Sequence, residues 1–318
     1  MPWGSKHKLI MRKLIYIVGV LLFAAVACQK EGEHGSQRGE CLTRLTVQVP
    51  EDVATKTVSQ AELVDIVYYE VWSEDFQTLL MEGSNEVENR VAEMELALVT
   101  DQTYNFIFWA QNEAAQTYTW TNLKQVNVDY SKFTTNNKDC YDAFYAVETF
   151  TADGQAKTVR LYRPFAQLNF GASTMNAAFG EFQINSNTVT VSKYATAFDT
   201  VNDKAVDYVD ASMTFTANAG GLVQTETDDD KDLLIGEAAY YWVAMNYLLV
   251  PDETNAIVTV SATFNTNIGP VTHNVPNVPL KMNYRTNIVG DLFTSTSSLK
   301  IVVDPDFNKT DENINVNN

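Results

Sequence analysis

The sequence has few of the side chains from which metal centres and catalytic sites are usually built. Its 318 residues include only three histidines and three cysteines. His273 is the one histidine in the part expected to fold, and Val271 and Val275 flank it in an alternating pattern typical of a structural histidine. A cysteine–histidine zinc cluster and a serine–histidine–acid triad are therefore excluded, and no glycine-rich phosphate loop is present. We predict a protein that is not an enzyme and has no cofactor and no metal site.

Positive charge is also scarce. Lysine and arginine number 22 against 40 aspartates and glutamates, which gives a formal net charge of −18. Residues 1–27 hold four of the basic side chains and no acidic one, so a chain without them carries −22. A surface of this sign repels nucleic acid and anionic headgroups, and we expect no nucleic-acid partner.

No apolar run is long enough to cross a bilayer, which needs about twenty residues. The run Leu14–Phe23 has ten and follows Arg12 and Lys13, a pattern typical of a signal peptide. Small residues then lead into Cys28, and this arrangement resembles the lipobox of bacterial lipoproteins. We predict a signal peptide over residues 1–27 and lipid attachment at Cys28. The alternative is an ordinary secretory signal in front of an unrelated cysteine.

The next segment cannot bury surface. Residues 28–40 contain, after Cys28, no apolar side chain, and we predict a flexible leash there. Two further cysteines follow, Cys41 and Cys140. Outside the cytoplasm they can oxidise, and a bridge closing a loop of about a hundred residues would contribute on the order of 4–5 kcal/mol in the chain-entropy model. The alternative is that both stay reduced.

The remaining chain predicts an all-β protein. Several segments alternate apolar and polar residues, as half-buried strands do: 45–49, 123–130, 257–264 and 299–303. Others are apolar at successive positions, as central strands covered on both faces are: 64–72, 104–110 and 240–245. Turn-forming residues separate these segments. We expect one β-sandwich domain over residues 41–156, a second over 157–304, and a polar tail over 305–318.

Two segments of the second half carry a family resemblance. They are Leu-Tyr-Arg-Pro-Phe-Ala-Gln-Leu-Asn-Phe at 161–170 and Asn-Tyr-Arg-Thr-Asn-Ile-Val-Gly-Asp-Leu at 283–292. Together with the lipobox and the segment 49–72, they resemble the fimbrillin-like lipoproteins, the type V pilus subunits of Gram-negative anaerobes and their relatives of unassigned function. The resemblance implies two tandem transthyretin-like, Greek-key β-sandwich domains and a lipid-anchored place on the outer membrane at the cell surface.

The resemblance also implies an assembly step. Fimbrillins lose an N-terminal strand to a trypsin-like protease, and a strand from a neighbouring subunit fills the opened groove. Here the removable strand would be about Leu42 to Val49, with Leu45, Val47 and Val49 on its buried face. The cut would follow Lys56, where relatives tend to carry arginine. Arg44 lies inside the strand and is a poorer candidate. Burial of the three side chains at about 1.5–3 kcal/mol each would make removal costly, comparable with a domain's stability. A Cys41–Cys140 bridge would keep the cut strand attached.

Other patterns are weaker. The acidic run 226–232 could hold calcium but lacks the spacing of a known loop, so a solvated hairpin tip is favoured. Asp199-Thr200-Val201 resembles an acceptor of periplasmic O-glycosylation. Tryptophans 72, 109, 120 and 242 could form a sugar-binding platform, although their apolar surroundings favour core packing.

The sequence therefore predicts a surface lipoprotein that acts as a fimbrillin-like pilus subunit, adhesin or accessory terminal subunit. Its partners would be the outer membrane, other fimbrillin-like subunits, or ligands on host or bacterial surfaces. A polar C-terminal tail favours a terminal subunit, because a stalk subunit should end in a spare apolar strand. The alternative is a monomeric glycan-binding lipoprotein of a nutrient-uptake system.

Overall fold

The computed structural model describes residues 39–50, 61, 63–132, 136, 139–175, 182–217, 231–250, 256–293 and 298–304. Strands hold 65% of these residues and helical turns 2%, which confirms the predicted all-β class. The described helical segments are two 3₁₀ turns, Glu113–Ala115 and Asp139–Tyr141. No described helix has the length and apolar character that a membrane span requires.

The described strands are numbered in chain order. Those of the first half are β1 (Glu40–Gln48), β2 (Ile66–Ser73), β3 (Leu79–Glu86), β4 (Val91–Val99), β5 (Thr103–Gln111), β6 (Tyr118–Thr119), β7 (Gln125–Val128), β8 (Ala143–Thr151) and β9 (Lys157–Arg160). Those of the second half are β10 (Ala166–Ala172), β11 (Ile184–Val191), β12 (Tyr194–Asp199), β13 (Lys204–Val209), β14 (Met213–Ala217), β15 (Leu233–Ile235), β16 (Ala238–Leu248), β17 (Ala256–Thr266), β18 (Gly269–Leu280), β19 (Arg285–Gly290) and β20 (Leu299–Asp304).

Four of the five sheets form two sandwiches. In the first, the sheet β4-β1-β9 packs on the sheet β3-β2-β5-β8, and one core contains side chains from both, including Leu45 and Phe106. In the second, β15-β16-β10-β19-β20 packs on β14-β11-β17-β18. The ring centroids of Phe170 in β10 and Phe264 in β17 lie 5.8 Å apart across that core.

The fifth sheet, β13-β12-β7-β6, takes strands from both halves of the chain. Phe198 of β12 pairs with Val126 of β7, and both are buried in the core of the second sandwich. The N–H of Thr200 extends this pairing by donating to the carbonyl of Lys124 at 3.0 Å. The two halves are therefore joined by main-chain hydrogen bonds as well as by side chains.

The strand β5 explains why residues 38–318 form one compact unit. Successive side chains of a strand point to opposite faces. Phe106 and Phe108 are buried in the first core, whereas Ile107 and Trp109 are buried in the core shared with the second sandwich. This agrees with the apolar-on-both-faces pattern at 104–110.

The strand β9 follows the expected domain boundary at residue 156 but belongs to the first sandwich. It pairs with β1, and Val159 and Leu161 are buried in the first core. Phe165 is the first side chain after it in the other core. We therefore place the end of the first sandwich after Leu161. A domain boundary at residue 156 would separate β9 from β1, the one strand with which it pairs among the described strands.

Candidate functional site

The predicted removable strand is present as β1, and its side chains alternate as expected. Leu45, Val47 and Val49 are buried in the first core, each with at most 4% of its surface exposed. Thr43 shares that face and is fully buried. Leu42, on the opposite face, is 62% exposed. The strand is thus held by one apolar face, as an alternating segment on the outside of a sandwich should be.

The strand β1 lies in the centre of its sheet, between β4 and β9. A position at the sheet edge would have favoured the pilus interpretation, and β1 does not occupy one. It pairs antiparallel with β4 over nine residues, from Glu40 opposite Val99 to Gln48 opposite Val91. It pairs parallel with β9 from Leu45 opposite Lys157 onward. The parallel neighbour could not be foreseen, because β9 is four residues long and comes from the far side of the predicted boundary.

Hydrogen bonds beyond the strand ends continue both ladders. The N–H of Thr100 donates to the carbonyl of Gly39 at 2.8 Å, and the N–H of Val49 donates to the carbonyl of Arg90 at 2.9 Å. The carbonyl of Gln48 accepts from the N–H of Leu161 at 3.0 Å. The segment is therefore bonded from residue 39 to residue 49, slightly more than the predicted 42–49.

Arg44 is not placed for proteolysis. Its main chain pairs with Glu95 of β4, and its side chain, 75% exposed, forms an ion pair with Glu95 (Nε–Oε1 2.5 Å). A protease requires an extended, unpaired segment, which the middle of a ladder does not offer. Lys56 and Cys28 both lie outside the described residues, so cleavage and lipid attachment stay predictions.

Cys41 and Cys140 lie at opposite ends of β8. A Cβ atom built on Gly154, three residues after β8, would be 3.8 Å from the Cβ of Cys41. Cys140 lies three residues before β8 begins at Ala143. Nine residues of strand span about 26 Å, whereas a disulfide needs its Cα atoms within about 7 Å. A bridge between the two would therefore require a different arrangement of the chain, and the pairing of Cys41 with Cys140 stays a prediction.

The fold buries the threonine of the predicted glycosylation pattern at residues 199–201. Thr200 is only 1% exposed, and its hydroxyl donates to the carbonyl of Leu123 at 2.7 Å. Asp199 accepts from the N–H of Asn202 at 3.0 Å, which tightens the turn. Thr200 is thus a buried link between β12 and the segment that leads into β7, and an enzyme cannot reach its hydroxyl in the folded protein.

The other weak patterns have structural roles or lie outside the description. His273 is buried in β18 with Nε2 2.8 Å from the carbonyl oxygen of Leu292, which agrees with a structural histidine. Residues 226–230 of the acidic run fall outside the described part of the chain. Within that part, no group of three or more acidic, histidine or cysteine side chains could hold a metal ion.

Three of the four described tryptophans are buried, as core packing predicted: Trp72, Trp109 and Trp242. Trp120 is half-buried, and its ring meets that of Tyr68 edge to face with centroids 4.9 Å apart. A broad platform of tryptophan faces, as sugar-binding surfaces use, is therefore absent from the described residues.

The two segments that carried the family resemblance lie side by side in the fold. They contain β10 and β19, which pair in parallel at the centre of the five-stranded sheet. Asn169 Nδ2 donates to Asn287 Oδ1 at 2.9 Å, a buried link between them. Arg163 forms a fully buried, two-bond pair with Asp142, with both N–O distances 2.7 Å. These motif residues therefore hold the sheet and the junction between the sandwiches.

Sequence reasoning missed a buried carboxylate at this junction. Glu70 of β2 is 3% exposed and accepts from Trp72 Nε1 and from the N–H of Leu123, both at 2.9 Å. Burial raises the pKa of Glu70, and the two hydrogen bonds oppose that rise. Lys124 Nζ lies 3.6 Å from the Trp72 ring centroid. The pattern around residue 70 gave no sign of this role, since a glutamate in a strand usually faces solvent.

A family model described as a family of unknown function (DUF6562) matches residues 35–317. No curated protein matches the chain. A solved structure of a "putative cell adhesion protein" from Bacteroides ovatus is similar, with a TM-score of 0.53 and 11% identity over 84% of this chain and 98% of that one. A "putative adhesin" from Bacteroides thetaiotaomicron gives 0.50 and 13% over 84% and 96%.

The fimbrial anchor protein Mfa2 from Porphyromonas gingivalis gives a TM-score of 0.42 and 13% identity over 83% of this chain and 97% of that one, a likeness too distant to carry an argument. Identities this low show the fold alone. As a similarity of fold, the two Bacteroides structures confirm the resemblance predicted from the two motif segments.

Proposed function

The chain belongs to the DUF6562 family of unknown function, and we propose that it serves at the cell surface as a fimbrillin-like pilus subunit, adhesin or accessory terminal subunit. The observation that carries the proposal is β1, a strand near the N-terminus that is held by one buried face and precedes the predicted cleavage site. The proposed adhesive role of the two structural neighbours in Bacteroides is consistent with it.

Assembly would proceed by strand exchange. Cleavage after Lys56 would separate β1 covalently from the rest of the chain, leaving only the ladders with β4 and β9 and the buried face to hold it. Loss of β1 would expose the first core and the main-chain groups of its neighbours, which is a template for an added strand. Because Cys41 and Cys140 lie at opposite ends of β8, we propose that no bridge retains the cut strand, which would then be able to leave.

We propose an accessory terminal role for the chain, in which β1 would mark the acceptor site for a strand. Residues 305–318 are polar apart from Pro305, Phe307, Ile314 and Val316, and this segment would be a poor strand donor. Lipid attachment at Cys28 would then tether whichever molecules keep β1, and a Cys28→Ser variant should be released from the membrane fraction.

Mild trypsin treatment of the lipid-free protein tests the proposal. We expect a cut after Lys56 and, on incubation, a ladder of SDS-resistant oligomers. A Lys56→Ala variant is the matched control: trypsin can still cut it at Lys30 or Arg38 in the predicted leash, but β1 should stay attached and the protein monomeric. A cut after Lys56 with no change of size would contradict strand exchange, and a ladder in the Lys56→Ala variant would contradict the role of this cleavage.

The alternative function, glycan binding by a monomer, has one partly exposed aromatic pair in its favour. Trp120 and Tyr68 are both half-buried and pack against the core of the second sandwich. A glycan array on the uncut protein tests it: binding that a Trp120→Ala variant loses would favour this function over assembly.

A further inference from the structure

The strand β20 forms an open edge of the five-stranded sheet, since among the described strands it pairs with β19 alone. Its ladder with β19 covers six residue pairs without a register shift. The side chains of Ile301 and Val303 are 36% and 38% exposed. A regular edge strand that is rich in β-branched residues is a template for pairing with a further strand.

The opposing sheet of the same sandwich protects its edge, and the contrast is informative. Its last strand, β18, contacts β20 and contains Pro270, Pro276 and Pro279. Proline has no N–H to offer an incoming strand, and natural edge strands use it against unwanted pairing. The strand β20 contains no proline and no bulge. Of these two edges, therefore, one is blocked against a further strand and the other accepts one.

Two hydrogen bonds show which main-chain groups of β20 point to the open edge. The carbonyl of Gly290 accepts from the N–H of Ser173 at 2.8 Å, so the even-numbered residues of β19 bond to β10. The N–H of Asp291 donates to the carbonyl of Ser298 at 3.2 Å, so odd-numbered residues on the β19 side bond to even-numbered residues on the β20 side. Three residues of β20 therefore direct their N–H and C=O groups to the open edge: Leu299, Ile301 and Val303.

The edge of β20 is complementary to itself. When two copies run antiparallel about a two-fold axis through Val302, Ile301 of each copy lies opposite Val303 of the other, and their edge groups can form a hydrogen-bonded pair twice. The same register sets Lys300 opposite Asp304 of the other copy, also twice. Opposite charges at directly facing positions stabilise a strand pair. A register centred on Ile301 instead would set Lys300 opposite Val302 and lose both charge pairs.

From these observations we infer that β20 is the interface of a two-fold symmetric dimer, in which the partner of this edge is β20 of a second copy of the chain. The two five-stranded sheets would join into one sheet of ten strands. Asp304 stands opposite Arg285 in its own sheet, and Lys300 of the second copy would be its second basic neighbour. The Lys300 side chain is exposed, with Nζ 5.5 Å from the ring centroid of Tyr240, and such a contact gives way readily to a carboxylate.

The interface is small, because only six residues of each copy pair and both chains are acidic. We therefore expect a weak dimer, with a dissociation constant on the order of 10–100 µM. It should dissociate in SDS, unlike the ladder expected after cleavage at Lys56. Each copy keeps all its own strands in place, so the inference does not depend on strand exchange.

Cysteine cross-linking tests the register. The lipid-free chain has its three cysteines replaced by serine and carries one new cysteine. Val302→Cys puts both thiols on the two-fold axis, where facing Cα atoms lie about 4.5 Å apart, within the range of a disulfide. Leu299→Cys is the control, because it is also half-buried and keeps both charged residues, whereas its two copies would lie about 20 Å apart. We expect Val302→Cys to form a covalent dimer under mild oxidation at least about tenfold faster than Leu299→Cys.

Sedimentation velocity tests the edge itself. Val303→Lys places a charge at the open edge, and Lys300→Glu sets like charges opposite each other, so each should weaken the dimer about tenfold or more. Ile257→Lys is the matched control, since it changes an exposed apolar residue of the opposing sheet in the same way and should leave association unchanged. Urea denaturation checks that the variants are folded.

Several results would overturn the inference. One is a lipid-free chain with its native β20 that stays monomeric at about 200 µM, above the expected dissociation constant. Others are equal cross-linking of Val302→Cys and Leu299→Cys, and equal association of Val303→Lys and Ile257→Lys. A dimer that forms only after deletion of residues 305–318 would show that the chain's own C-terminal segment occupies the edge, and would likewise overturn it.

Discussion

The contribution of β1 to stability can be measured with two leucines of the same strand. Leu45 is 1% exposed and packs in the first core, whereas Leu42 is 62% exposed on the opposite face. Truncation of a buried leucine to alanine costs about 2–5 kcal/mol, from lost burial and from the cavity that remains. Leu45→Ala should therefore lower the free energy of unfolding by that amount, and Leu42→Ala by no more than about 0.5 kcal/mol.

Urea denaturation followed by tryptophan fluorescence is the assay. Leu45→Ala should move the midpoint to lower urea without a change of slope, because the surface exposed on unfolding stays nearly the same. In a thermal scan, about 2–4 °C is lost per kcal/mol for a chain of this size, so we expect a decrease of about 5–15 °C.

Two results with these variants would refute the reasoning. Equal losses for Leu42→Ala and Leu45→Ala would mean that the faces of β1 are not distinguished in solution. No loss for Leu45→Ala would mean that β1 is not packed on the first core, and the basis for strand exchange would be gone.

Three further predictions concern the junction between the sandwiches. Arg163→Met leaves Asp142 buried without its counter-ion and should cost about 3–5 kcal/mol in urea denaturation, part of which Asp142→Asn should restore in the double variant. Burial raises the pKa of Glu70 in the folded state. The stability that this shift contributes is therefore full below the unfolded pKa of about 4.3, and it is lost as pH rises through the folded pKa. Relative to the wild type, Glu70→Gln should gain stability from pH 4 to pH 7, and the opposite trend would contradict the burial. Thr200→Val should cost about 1 kcal/mol through the lost bond to Leu123. The mass of the protein from its native cells should change only by the difference between the two side chains, whereas a decrease by the mass of a glycan would show that Thr200 is glycosylated.

Local patterns were sufficient to predict several of the strands. The alternation at 45–49 and 299–303 corresponds to β1 and β20, and the apolar runs at 64–72, 104–110 and 240–245 correspond to β2, β5 and β16. The prediction succeeds because side chains of a strand point to alternate faces. Burial of one face therefore gives alternating apolar residues in the sequence, and burial of both faces gives a continuous apolar run. The motif segments likewise carried the family resemblance.

Such local patterns do not predict which distant segments pair with each other. The short strand β9 offers too few residues for a periodic signal, yet it places β1 in the centre of its sheet. The same limit explains why the burial of Thr200 was not predicted. Its sequence context is that of a polar turn residue, and it is buried because β12 pairs with β7. It also explains Glu70, whose partners are a neighbouring tryptophan and a main-chain group 53 residues away.

The sequence by itself determined the class of this protein: an acidic, all-β chain with a predicted export signal and only three histidines and three cysteines. These properties depend on composition and on the two-residue period of strands, which are local. Only the tertiary structure decided that β1 bonds two strands at once, that Cys41 and Cys140 lie at opposite ends of β8, and that the motif residues join the sandwiches. Those facts depend on which segments meet across the fold, and a local period carries no information about that.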